Sequence, residues 1–141
     1  MATRSTIALE FADGTIQQVY CHWDGYLAHN GKILQASYTD PFKVRDLIDL
    51  GDISSLGPNI GEKHVEQEAR QQITTFYGRD RGESGTQART FKDFADYRDN
   101  AQGEEYNYIL RRDGNWYVEF YGKFNGLLEQ AIAEEEAMEV A

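Results

Sequence analysis

EYNYILRRDGNWYVEFY, residues 105–121, sets the architecture: two arms dense in β-branched and aromatic residues surround Asp113-Gly114. Such a pair tolerates the positive φ angles of a two-residue type I′ turn, so Glu105 to Arg112 and Asn115 to Tyr121 are expected to form a β-hairpin. Its register would put Asn107, Ile109, Trp116, Val118 and Phe120 on one face, and Tyr106, Tyr108, Leu110, Tyr117 and Tyr121 on the other. The same device recurs near the start, where Ser5 to Phe11 and Thr15 to Cys21 flank Asp13-Gly14. There Ile7, Leu9, Phe11, Ile16, Gln18 and Tyr20 are expected to share the core face. A middle strand is expected at Ile73 to Tyr77, stopped by Gly78.

Helices fill the intervals. Asp40-Pro41 reads as an N-cap followed by proline at the first helical position, with Val44, Leu47 and Ile48 as the apolar stripe and Gly51 as the C-terminal cap. Tyr26 to Tyr38 reads as helical despite Asn30-Gly31. Phe91, Phe94 and Ala95 mark another helix, and Phe124, Leu127, Leu128, Ala131 and Ile132 repeat at helical spacing in the last. The expectation is a single α+β domain over residues 1–141, a mostly antiparallel sheet of two hairpins and a middle strand with three to four packed helices. Glutamates at 134, 135, 136 and 139 oppose the helix dipole, so residues 134–141 are expected to fray as an acidic tail.

The 141 residues suit one domain, and 40% hydrophobic content is enough to build a core. A formal charge of −10 argues against direct nucleic-acid or membrane binding. One cysteine, Cys21, and no long apolar run near the N-terminus point to a reducing cytoplasm.

Two clusters carry chemistry. Cys21-His22-Trp23-Asp24-Gly25-Tyr26 gathers an imidazole, an indole, a carboxylate and a phenol at a strand end. Tyr77-Gly78-Arg79-Asp80-Arg81-Gly82-Glu83 alternates two arginines with acids between glycines, a pattern suited to gripping phosphate or carboxylate. Trp23, Tyr26 and Tyr77 are candidates to stack on a ligand, and Arg79 and Arg81 to hold its charge. Asp24, Asp80 and Glu83 would orient the arginines or accept ribose or base hydrogen bonds. Each cluster also has a plainer reading: Trp23 as a core plug, and the arginines as an exposed salt-bridged loop.

These stretches, CHWDGY at 21–26 and TFYGRDRGE at 75–83, together with LGDISSL at 50–56 and MATRSTIA at 1–8, resemble a family of small, mostly uncharacterised accessory proteins of tailed phages and prophages. The resemblance spans nearly the whole chain and brings no known reaction. Its phage setting implies an anti-defence role, in which a nucleotide-like signal is bound and sequestered without turnover.

Two alternatives stand beside that expectation. The acidic C-terminal end, with no Lys or Arg after Lys123, would suit a protein-blocking inhibitor of a host defence or nucleic-acid-processing complex. A small nucleotide hydrolase acting through Asp24 or Glu83 is the other, and catalysis is the weaker expectation because Cys21 and His22, adjacent in a strand, point apart. His22, His29 and His64 have no zinc-site spacing, and neither of the common phosphate-loop motifs occurs, so no metal or cofactor is expected. The tyrosines at 106, 108, 117 and 121 would make a platform for a base, a partner protein or a homodimer contact.

Overall fold

A computed structural model describes residues 2–65 and 72–139. Strands β1 (Ser5–Glu10) and β2 (Ile16–Cys21) form the first hairpin, and β6 (Tyr106–Leu110) and β7 (Trp116–Phe120) the second. Between and after them come β3 (Ile53–Ser55), β4 (Thr75–Phe76), β5 (Arg89–Phe91) and β8 (Phe124–Leu127). One open sheet runs β4-β3-β2-β1-β6-β7-β8, with β5 also pairing β2. Among the described strands only β1–β6 and β2–β3 pair in parallel, so the sheet is mostly antiparallel and the domain is α+β. The expected middle strand is the short β4, which lies at a sheet edge beside β3.

Both Asp-Gly hairpins form, but with a three-residue loop rather than the expected two. Gly14 donates to the Phe11 carbonyl and Phe11 donates to the Thr15 carbonyl; Gly114, Arg111 and Asn115 repeat the pattern. Only the glycines of these loops have positive φ, +92° and +85°, whereas type I′ needs it at both central residues. The loops are type I turns closed by a glycine bulge, braced by Asp13 Oδ1 accepting from Thr15 N and Asp113 Oδ1 from Asn115 N.

That one-residue difference corrects the expected faces. Ile7 pairs Val19 and Ser5 pairs Cys21, so Val19 and Cys21 join the main core while Ile16, Gln18 and Tyr20 turn to the other face. In the second hairpin Tyr108 pairs Val118 and Leu110 pairs Trp116, and Ile109 and Tyr117 turn away. The expected tyrosine platform is thereby divided. Tyr108 is fully buried in the main core, whereas Tyr117 lies on the opposite face.

The main core packs under helices α2 (Pro41–Asp49) and α4 (Leu128–Glu139). Asp40 caps α2 by accepting from Phe42 N at 2.9 Å, and Val44, Leu47 and Ile48 are buried as the stripe requires. The buried polar ends of Trp116 and Tyr38 are satisfied: Trp116 Nε1 donates to the Tyr38 carbonyl at 2.9 Å, and Tyr38 donates to the Gly57 carbonyl at 2.7 Å. Residues 27–37 form a π-helical turn, Leu27–Gly31, that runs into α1 (Lys32–Ser37).

Two helix boundaries differ from expectation. Phe91 belongs to β5, and α3 (Phe94–Asn100) starts only after Asp93, whose carboxylate accepts from Asp96 N. Phe124–Leu127 is strand rather than helix, because β7 offers it a pairing edge, and α4 begins at Leu128. That helix is assigned through Glu139; residues 140 and 141 lie outside the described residues.

Candidate functional site

The segment after β2 is held on both sides. His22 N donates to the Ile53 carbonyl and Trp23 N to the Ser54 carbonyl, extending the parallel ladder along β3. Asp24, at φ +57°, then turns the chain so that Gly25 N reaches the Thr3 carbonyl and the Gly25 carbonyl receives the Tyr108 hydroxyl at 2.6 Å. A Cβ on Gly25 would lie 2.7 Å from that of Ser5, so this approach needs glycine. Beneath it the Asn30 amide reaches Ser5 Oγ, Cys21 Sγ and the Trp23 carbonyl.

Cys21 is part of this brace. Burial pushes its thiol up to about 12, so the reactive thiolate form is suppressed. His22 faces away from it, with Nδ1 2.7 Å from the Tyr20 hydroxyl and its ring edge-on to the Trp23 indole at 4.8 Å. Trp23 and Tyr26 are 42% and 39% exposed, so neither aromatic is a core plug. Asp24 is half-buried, and its carbonyl receives Asn30 N.

The second cluster divides between two tasks. Arg79 Nε donates to Asp80 Oδ1 at 3.0 Å, and its terminal nitrogens donate to the carbonyls of Gly61, Ile60 and Thr74, while the guanidinium lies 4.6 Å from the Phe76 ring centre. Asp80 also accepts from His64 N and Phe76 N. Burial raises the Asp80 carboxyl, but the Arg79 and backbone hydrogen bonds outweigh it and hold it below the ordinary value. Arg79 and Asp80 tie residues 60–64 to the turn after β4.

Arg81 behaves differently. It is exposed, its guanidinium sits 5.1 Å from the Tyr77 ring centre, and one nitrogen donates to Ser54 Oγ at 3.2 Å. Burial pushes the Tyr77 phenol above its ordinary value, with the Ser54 hydroxyl and Arg81 acting against it. Tyr20 is raised chiefly by burial, and the Tyr77 phenol adds to the rise, which places the two phenols within each other's field. Glu83 is exposed, and its N–H donates to the Tyr77 carbonyl.

Ser54 is therefore where the two clusters meet: its carbonyl holds Trp23, and its hydroxyl holds Arg81. Of the sequence candidates, Tyr77 and Arg81 gather at the Ser54 side chain, with Glu83 bonded to the Tyr77 carbonyl, and Trp23 reaches Ser54 through its backbone N–H alone; Arg79 and Asp80 are spent on the fold, and Asp24 and Tyr26 belong to the turn beyond. Tyr20, His22 and Ser54 join the site without having been singled out as ligand contacts. The signal for the first two was the alternation Gln18, Tyr20, His22 on the face opposite Val19 and Cys21.

A Thr-His-Asp alignment also occurs: Thr75 Oγ1 lies 3.0 Å from His64 Nε2, and His64 Nδ1 lies 3.5 Å from Asp80. Its Nδ1 is closer to the Glu62 carbonyl, at 2.9 Å, so Nδ1–H donates there and Nε2 accepts from Thr75. Thr75 has no exposed surface, so this network locks the turn and offers no reachable nucleophile. Among the described residues no group of three or more His, Cys, Asp or Glu side chains is placed to hold a metal ion, and no helix is long and apolar enough to cross a membrane. Comparison of the chain with family models, with curated proteins and with solved structures finds no match.

Proposed function

We propose that the protein binds, without turning over, a small anionic, nucleotide-like ligand on the face formed by Tyr20, His22, Trp23, Tyr77 and Arg81. In the phage setting that the sequence resemblance implies, it acts in the host cytoplasm as an anti-defence accessory protein that withdraws a nucleotide signal. The supporting observation is the meeting of the two clusters at Ser54. An exposed indole stacks on a base at modest entropic cost, and a guanidinium beside an aromatic ring matches a phosphate. The Trp23 backbone is bonded to β3 and Arg81 lies in the turn after β4, braced by the Ser54 hydroxyl, which preorganises them.

The test is mass spectrometry of small molecules released from the purified protein, followed by thermal-shift screening against cyclic dinucleotides and ADP-ribose derivatives. A retained nucleotide, and a melting point that rises with its concentration, is the expected result. Absence of any bound nucleotide and of any shift across the panel overturns the reading.

The α4 surface favours a second reading, a blocking inhibitor of a host protein, since Glu129, Glu134, Glu136 and Glu139 are exposed along one helix. A pull-down from host lysate separates the two. A stoichiometric partner lost when Glu134, Glu135 and Glu136 become lysine supports the inhibitor, and indifference to that change removes it.

A further inference from the structure

A concavity opens beneath α3, on the sheet face that carries Tyr20 and His22. It measures about 200 Å³ and is walled by the rings of Phe94, Tyr97 and Tyr117, with Ile109 in its floor and Asn107 and Glu119 at one side. It exists because α3 is short: seven residues, none fully buried, cover Ile16 and Ile109 through Phe94 and Tyr97 and leave part of the β6–β7 surface uncovered.

The polar groups around it differ in how they are used. Arg111 is held by Glu10 at 3.1 and 3.3 Å and lies 3.7 Å from the Phe94 ring centre. Asn107 is committed on both ends: Oδ1 accepts from Thr6 Oγ1 and Glu104 N, and Nδ2 donates to the Glu104 carbonyl and Glu119 Oε1. Glu119 is the exception. Its oxygens accept one bond each, from Asn107 at 2.9 Å and from Gly122 N at 3.2 Å, and both donors are neutral.

A carboxylate offers about four acceptor sites, so one remains on each oxygen of this half-buried side chain, which makes no salt bridge among the described residues although Arg98 and Arg111 also line the cavity. Burial pushes the neighbouring Tyr97 phenol up to about 12, and the Glu119 charge is the next contributor, so its field reaches the aromatic wall.

We propose that this cavity binds a flat heteroaromatic molecule that presents two adjacent N–H donors to Glu119, the edge pattern of guanine. Paired donors satisfy both remaining oxygen sites at once, with the ring held between aromatic walls. Adenine and cytosine present a donor beside an acceptor, and the acceptor would face the carboxylate and be repelled. The cavity exceeds the roughly 150 Å³ that encloses a benzene ring, so it takes the Glu119-facing ring of a bicyclic base and leaves the remainder at its mouth. The proposal is independent of the Trp23–Arg81 face.

Titration of the full chain with guanosine and adenosine, followed by amide NMR, tests it. Saturable shifts at Asn107, Tyr117 and Glu119 with guanosine, adenosine weaker by about tenfold or more, and a similar loss in Glu119→Gln are expected. No saturable shift, equal response to both nucleosides, shifts confined to Trp23 and Arg81, or unchanged guanosine binding by Glu119→Gln overturns it. Should Glu119→Gln melt far below the wild type, the wild-type shift map and the guanosine-to-adenosine ratio decide.

Discussion

The two faces of the sheet are built to different standards. On one, Ile7, Val19, Tyr108, Leu110 and Val118 are sealed under α2 and α4, and even the buried hydroxyls and indole have partners. On the other, the small cluster of Ala8, Ile16, Phe91 and Ile109 is covered by the seven-residue α3, and the rest of that face carries Tyr20, His22, Tyr117 and Glu119 in half-buried positions. One face supplies stability, and the other leaves room for a ligand. The paired arginines differ in kind. Two positions apart, Arg79 is consumed by three carbonyls and a carboxylate, and Arg81, exposed over Tyr77, donates to the Ser54 hydroxyl.

If that division holds, Arg79→Ala should be the most damaging change. It leaves Asp80, whose side chain is 1% exposed, without its cation, and breaking a buried pair in this way costs about 3–5 kcal/mol by urea denaturation. Leu47→Ala in the sealed core should cost about 2–5 kcal/mol. Phe94→Ala, half-buried beside an existing cavity, should cost about 1 kcal/mol or a little more. Equal losses for Leu47 and Phe94 would erase the distinction between faces.

Acid sharpens the comparison next. At Glu10, burial raises the carboxyl, but hydrogen bonds from Arg111 and Arg112 outweigh it and leave it lowered; Asp80 is likewise lowered. A depressed folded-state value means the stabilisation is intact above the ordinary values of 4.5 for Glu10 and 3.8 for Asp80, and is lost as pH falls through the folded ones. The urea midpoint should therefore hold steady near neutrality and drop in that acid range, with a shallower drop in Glu10→Gln. The smallest stability effect belongs to Arg81→Ala, about 0.5–1 kcal/mol, because the residue is exposed and loses its bond to the Ser54 hydroxyl.

How much of this was legible in the sequence follows from what each signal measures. Asp-Gly announced both hairpins and Asp40-Pro41 announced α2, because those signals are local. Register was misread because Asp-Gly fits loops of two and three residues equally. Matching Tyr108 and Leu110 against Trp116 and Val118 as one apolar set would have chosen correctly. The helical spacing from Phe124 was genuine but overruled by the free edge of β7, a tertiary cause. Within the candidate site, Arg79 and Arg81 look alike in sequence, and only the carbonyls of Ile60 and Gly61, far along the chain, assign one to the scaffold. The importance of Ser54 depends on β3 lying beside β2, which no local pattern states.

The central claim is tested most directly by calorimetric titration of wild type and Arg81→Ala with the cyclic dinucleotides and ADP-ribose derivatives. The account predicts that the wild type binds at least one of them and that Arg81→Ala loses about tenfold or more in affinity at a nearly unchanged melting temperature. Equal affinity in the two proteins, or no heat of binding from the wild type with any of them, would contradict it.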